Sequence, residues 1–240
     1  MDFKRVSRKR TELREISFEN KFSPYAEGSC LVKFGNTHVI CTASIEERVP
    51  MWLRGKQKGW ITAEYGMIPR ATHSRVDRDI SKGKISGRSQ EIQRLIGRSL
   101  RSAINLNELG ERQIKIDCDV IQADGGTRTA SISGSWIALH DAIKYLMSQG
   151  KITQNPIKNQ IAAISCGIIN KEIFIDLDYN EDSNATVDGN FVLTDNKEII
   201  EIQSSSEQKP ISKSNFLKMY ALVEDNIDII FKKQRDILSS

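Results

Sequence analysis

Apolar positions along the chain recur at two spacings, and these separate strands from helices. Leu31 to Phe34 and His38 to Thr42 flank Gly35-Asn36, a pair that tolerates the positive φ angles of a two-residue turn, so this stretch predicts a β-hairpin. Two more hairpins are expected: Ile168 and Ile169 turning through Asn170-Lys171 into Ile173 to Leu177, and Phe191 to Thr194 turning through Asp195-Asn196 into Glu198 to Gln203. Helical spacing runs from about Gln90 to Ala103, through Ile92, Leu95, Ile96, Ser99 and Leu100. A strand follows, with Ile114, Ile116, Cys118 and Val120 on one face. After Thr129 a long helix with the stripe Ile132, Trp136, Leu139, Ile143 and Leu146 is expected to stop near Gly150. A last helix carries Phe216, Leu217, Tyr220, Val223, Ile227 and Ile230. Hairpins interleaved with a few long helices predict an α+β fold, two layers with mixed strands, and 1–240 reads as one domain.

Composition narrows the class. With 240 residues, 39% hydrophobic and 28% charged, the chain can bury a full core. Lys and Arg exceed Asp and Glu by only 35 to 31, so any case for nucleic acid rests on local clustering. The basic N-terminus is followed by Glu12, Glu15 and Glu19 instead of an apolar stretch, which is not the pattern of a signal peptide. No run approaches the roughly 20 apolar residues of a membrane span, so a cytoplasmic location is expected. Cys30, Cys41, Cys118 and Cys166 have no metal-ligand spacing and read as buried thiols.

Three constellations offer chemistry. Gly125-Gly126-Thr127-Arg128-Thr129 stands between a strand and a helix, where close backbone approach, unpaired N–H groups, a hydroxyl and a guanidinium suit an oxyanion. The pentapeptide alone is equally compatible with a glycine turn bearing a surface arginine. Arg88 precedes the Gln90 helix and offers a second cation, or a solvated loop arginine. Between residues 176 and 188, Asp176, Asp178, Glu181, Asp182 and Asp188 place five carboxylates in thirteen positions, either a solvated acidic loop or a seat for a hard cation such as magnesium. The irregular stretch 69–89 carries Arg70, Arg75, Arg78, Lys82, Lys84 and Arg88 against Asp77 and Asp79, a composition suited to a nucleic-acid backbone or to solvent. Trp60, Tyr65 and His73 lie near enough to supply stacking surfaces or to join the core. None of the three histidines, His38, His73 and His140, sits in a nucleophile elbow or a ligand pair, which disfavours a hydrolase triad and leaves phosphoryl transfer as the simplest chemistry.

Longer motifs carry a family resemblance. The runs 59–67 (GWITAEYGM), 69–73 (PRATH) and 117–129 (DCDVIQADGGTRT) resemble ribonuclease PH, as do 41–47, 91–96, 178–183 and 199–203. The resemblance implies a ribonuclease PH-like two-layer fold, of the type also found in the second domain of a small-subunit ribosomal protein. It implies a phosphorolytic exoribonuclease that trims the 3′ ends of precursor transfer RNA, with ribosomal RNA as a further target, by moving the terminal nucleotide to inorganic phosphate. Carried over by position, Arg88, Gly126, Thr127 and Arg128 would bind that phosphate. Asp182 and Asp188 would be the paired acids supporting catalysis and a magnesium ion, and Arg70, Arg75 and Arg78 would grip the transfer RNA. A homohexameric ring of three dimers is implied as well. The alternative is a catalytically silent RNA-binding ring subunit, yet no candidate catalytic group is missing here. The chain departs from the family pattern at Ser7, Glu15 and Gly189.

Overall fold

The computed structural model describes residue 5, residues 8–206 and residues 209–239. Among the described residues nine strands form two sheets. The first contains β1 (Ile16–Asn20), β2 (Gly28–Phe34), β3 (Thr37–Glu46), β4 (Trp60–Met67) and β5 (Gln113–Gln122), in the order β1-β2-β3-β5-β4. All its pairings are antiparallel except β4 with β5. That parallel pair requires a crossover, which α1 (Gly87–Ser102) supplies. The second sheet is antiparallel throughout and comprises β6 (Ile161–Ile169), β7 (Glu172–Ile175), β8 (Val187–Thr194) and β9 (Ile199–Ser206), ordered β7-β6-β8-β9. The three expected hairpins are β2–β3, β6–β7 and β8–β9. The first turns at the expected Gly35-Asn36, whereas Asp176 leaves the strand pattern with φ 53° and ends β7 early.

The expected apolar stripe understates α2 (Thr127–Ser148), which is buried on every side from Thr129 to Leu139 and one-sided only beyond that. It packs against β2 and β3 of the first sheet and β6 of the second. Its non-stripe positions are small and polar, and they bond inward. Ser131 donates to the Thr127 carbonyl (2.8 Å), Ser133 accepts from the Ala163 amide (3.1 Å), and Ser135 pairs with Cys118 (3.0 Å). These hydroxyls have partners although they are buried between two sheets, whereas His140 Nδ1 and Asp141 Oδ2, further along the helix, have no hydrogen-bond partner among the described residues. α4 (Lys213–Ser239) packs against β1 and β6, so one hydrophobic cluster runs through both sheets. All four cysteines are buried and unpaired, as expected. Among the described residues no helix is long and apolar enough to cross a membrane.

Candidate active site

The C-terminal end of β5 delivers the chain into Gly125-Gly126, and both glycines take positive φ (71° and 64°). A Cβ on Gly125 would lie 2.5 Å from the Leu177 carbonyl oxygen, so the turn is pressed against the segment that follows β7. Three hydrogen bonds from two side chains lock it from behind. Thr37 donates to the Gly125 carbonyl (2.6 Å) and accepts from the Asp124 amide (2.9 Å), while Arg14 Nη1 donates to the Asp124 carbonyl (2.5 Å). Gly126 is the N-cap of α2 and has no side chain to cap it, so the first-turn amides of Thr127, Arg128 and Thr129 are left for an external acceptor. The helix begins at Thr127 rather than after Thr129, and this puts Thr127 and Arg128 in its first turn.

In front of this helix end lies a cleft of about 360 Å³. Arg88, Gly126, Thr127, Arg128, Asp182 and Asp188 all line it. The structure thus gathers all six expected phosphate and acid residues, separated by up to 100 positions, around one space. Arg88 arrives on the first turn of α1, whose own N-terminus is capped by Ser86 bonded to the Ser89 amide (3.1 Å). Arg88 makes no ion pair among the described residues, and its guanidinium is exposed. Arg128 is held at Glu91 (3.2 Å) and Gln203 (3.0 Å). The Thr127 hydroxyl meets that of buried Tyr65 (2.8 Å).

The acidic segment is not the loop of five equivalent carboxylates that its composition describes. Asp178 is the N-cap of the short helix α3 (Tyr179–Asn184) and forms a capping box with Glu181. Glu181 is buried and pairs with Arg5 and Arg8. Asp176 is fully buried and pairs with Arg14 (2.7 Å) and Arg8 (3.2 Å). Burial pushes the Asp176 carboxyl up, but the charges of Arg14 and Arg8 outweigh it and hold the group below its ordinary value. Only Asp182, on α3, and Asp188, in β8, open onto the cleft. Crowding by protein raises the Asp182 carboxyl and the Asp188 charge raises it further, against Arg88 and Arg128. Ser205 donates to Asp188 (2.6 Å).

The basic loop stands outside the cleft. Its start is anchored beside the glycine turn, where the Ala123 amide donates to the Ala71 carbonyl (2.8 Å). Arg70 borders a second hollow with His73 and Asp124, Arg75 pairs with exposed Asp77 (2.7 Å), and Arg78 borders a third beside Asp119. Of the aromatics read as stacking candidates, Tyr65 is buried behind Thr127. Trp60 lies under the Arg101 guanidinium (4.3 Å), and His73 is exposed. Of the departures from the family pattern, the Glu15 carbonyl accepts from the Gly35 amide (2.7 Å), and Ser7 lies outside the described residues. At Gly189 the Phe191 ring and the Met219 methyl fill the space where a side chain would stand (3.0 and 3.3 Å from a Cβ). Arg14, Thr37 and Ser205, which carry no local signature, complete the arrangement together with Tyr65 and Asp176, whose roles are structural rather than those their local sequence suggests.

Comparison with known proteins settles the family. Residues 12–144 match the model of the 3′ exoribonuclease family, domain 1, and residues 159–222 match that of domain 2. The chain belongs to the 3′ exoribonuclease family. It is 59% identical over 220 residues to the ribonuclease PH of Maricaulis maris (92% of each chain). It is 54% identical over 227 residues to that of Methylorubrum populi (95% of this chain, 96% of the relative). The fold also matches a chain of an Archaeoglobus fulgidus exosome with RNA bound to the active site, at TM-score 0.77 and 18% identity, over 94% of this chain and 90% of that one. For this member of the family, the first match covers the half that carries Arg88 and the glycine turn, and the second covers the half that carries the acid pair.

Proposed function

We propose that this protein shortens RNA from its 3′ end by phosphorolysis, and that the cleft holding Arg88, Thr127, Arg128, Asp182 and Asp188 is where it does so. The observation that carries the reading is the convergence of two guanidinium groups and an uncapped helix N-terminus on one side of a polar cleft that has two carboxylates on its other side. Inorganic phosphate sits against the first-turn amides of α2, the Thr127 hydroxyl and the guanidinium groups of Arg88 and Arg128. There one phosphate oxygen faces the phosphorus of the last phosphodiester. The new P–O bond forms as the bond to the 3′ oxygen of the preceding nucleotide breaks, and a proton from the phosphate passes to that oxygen. The products are a nucleoside diphosphate and an RNA one residue shorter with a free 3′ hydroxyl. Asp182, whose hold on a proton is strengthened, is placed to relay that proton. A diphosphate replaces a phosphodiester, so the reaction runs in both directions.

Asp182 and Asp188 fit a magnesium ion. The Asp188 charge strengthens the hold of Asp182 on its proton, and a divalent cation between the two carboxylates relieves this. Among the described residues no group of three acidic, histidine or cysteine side chains collects there, which suits an ion held by one or two carboxylates together with substrate phosphate oxygens. Bound there, magnesium would neutralise charge developing on the transferred phosphoryl group. The Arg70, Arg75 and Arg78 loop grips the body of a precursor transfer RNA. In support, Arg70 is exposed with no ion pair among the described residues, and Arg75 is engaged only by a solvent-exposed partner, a weak tie. A cytoplasmic homohexameric ring completes the proposal.

The deciding experiment is product analysis on a 3′-extended transfer RNA with and without phosphate. Nucleoside diphosphates appearing only with phosphate are expected. Equal shortening without phosphate, releasing monophosphates, would replace the proposal with a hydrolytic nuclease.

A further inference from the structure

Beside the cleft, and separate from the residues that line it, two aromatic rings face solvent. Tyr179 is 56% exposed, and its ring centroid lies 6.5 Å from that of exposed His73, at an interplanar angle of 66°. A large exposed aromatic at the first position of a helix adds nothing to the core, and rings set nearly edge to face leave an open face for a third ring.

Their place in the fold gives the pair a meaning. Tyr179 and Asp182 are one turn apart on α3, so ring and carboxylate stand on the same side of that helix. The Tyr179 amide donates to Asp124 Oδ1 (3.3 Å), and Asn36 donates to Asp124 Oδ2 (3.3 Å). Asp124 leads directly into Gly125-Gly126, so one carboxylate fixes the ring relative to both the phosphate turn and the acid helix. His73 comes from the basic loop and shares its hollow with Arg70, which has no ion pair among the described residues. The route from the cleft to the basic loop therefore passes an open tyrosine face, an imidazole and a free cation. The hollow on the other side of Arg88 sets Glu64, Asp77, Asp79, Asp117 and Asp119 against Arg78 and Arg88, a lining with an excess of carboxylates that is less suited to a phosphate backbone than the side of Arg70.

We infer that Tyr179, backed by His73, is a stacking platform for a nucleobase of the RNA 3′ end just upstream of the scissile bond, with Arg70 receiving the adjoining backbone phosphate. Every base offers a π face, so such a contact holds any sequence in register while the end is trimmed residue by residue. The inference rests on the RNA-shortening reading for its substrate class, but its test does not depend on phosphorolysis.

A single-stranded RNA with 2-aminopurine at its penultimate position is titrated with protein in the absence of phosphate. Fluorescence quenching is expected with the natural protein. Tyr179→Ala should lose most of the quenching and weaken binding roughly tenfold, Tyr179→Phe should restore both, and His73→Ala should fall between. In turnover assays Tyr179→Ala should raise KM for RNA and leave KM for phosphate unchanged. Unaltered quenching and affinity in Tyr179→Ala would overturn the platform. So would retained quenching with a lowered kcat, which would mean that Tyr179 serves only to place Asp182. Quenching in a protein that needs no phosphate would remove the phosphorolytic reading and support the platform.

Discussion

The hydroxyl of Tyr65, in the edge strand β4, lies 2.8 Å from the hydroxyl of Thr127, the first residue of α2. A buried phenol thereby sets the orientation of a group that faces the phosphate cleft. Burial pushes the Tyr65 phenol up, so it stays protonated and can act as a donor. Tyr65→Phe removes this partner and nothing else of size. The expected result is a stability loss of about 1 kcal/mol and a several-fold rise in KM for phosphate with KM for RNA unchanged. Chemical denaturation together with the two saturation curves measures it.

Arg128 is braced by Glu91 and Gln203 rather than left to swing in solvent, which fits a cation that must meet a small anion at a fixed place. Arg128→Ala should abolish turnover or raise the phosphate requirement, by roughly a hundredfold or more in kcat/KM for phosphate. Transfer RNA binding should remain largely intact. A filter-binding curve that collapsed with the substitution would contradict the division between phosphate site and RNA grip.

Asp182 holds its proton more tightly than an ordinary aspartate, through burial and then through the Asp188 charge. Removing that charge with Asp188→Asn lowers the Asp182 value again. The ionised form then persists to lower pH, and the acid limb of the pH–rate profile should move down in pH even though overall turnover falls. A limb that stayed in place or moved up would show that the two carboxylates do not share the cleft.

Asp176 carries the opposite sign. Its folded-state value lies below its ordinary one, so its contribution to stability is present above the ordinary carboxylate value and is lost as pH falls through the folded one. Asp176→Asn leaves buried Arg14 without its counter-charge and Arg8 with Glu181 alone, and should cost about 3–5 kcal/mol at neutral pH. Its unfolding midpoint should also fall less steeply on acidification than that of the natural protein, as a thermal melt series across pH would show.

The contrast between these two aspartates marks how far the sequence could be read. Hairpins announced themselves through two-residue turns such as Gly35-Asn36, and α1 and α4 through one-sided apolar faces, because those signals are local. The oxyanion turn was legible for the same reason, since glycines, a hydroxyl and a cation stand side by side. Nothing local separates Asp176 and Glu181 from Asp182 and Asp188. The first two are consumed by arginines about 160 to 180 residues earlier, and pairing at that separation leaves no spacing pattern. Assignment of Asp182 and Asp188 came through family motifs, and the fold then brought both to the cleft. The all-round burial of α2 from Thr129 to Leu139 was equally hidden, because Ser131, Ser133 and Ser135 look like a solvent face until their partners are seen.

The cleft is a seam between an early and a late part of the chain. Arg88 and the glycine turn belong to the first sheet and its helices, whereas Asp182, Asp188 and Ser205 belong to the second. Arg14, which donates to the Asp124 carbonyl of that turn, is itself paired with Asp176 of the later part. A nascent chain that has completed only the first sheet therefore has the anion turn, held by Thr37, but no acid pair. Under the reading proposed above, the cleft is complete only once the last hairpin, which carries Asp188 and Ser205, has been made.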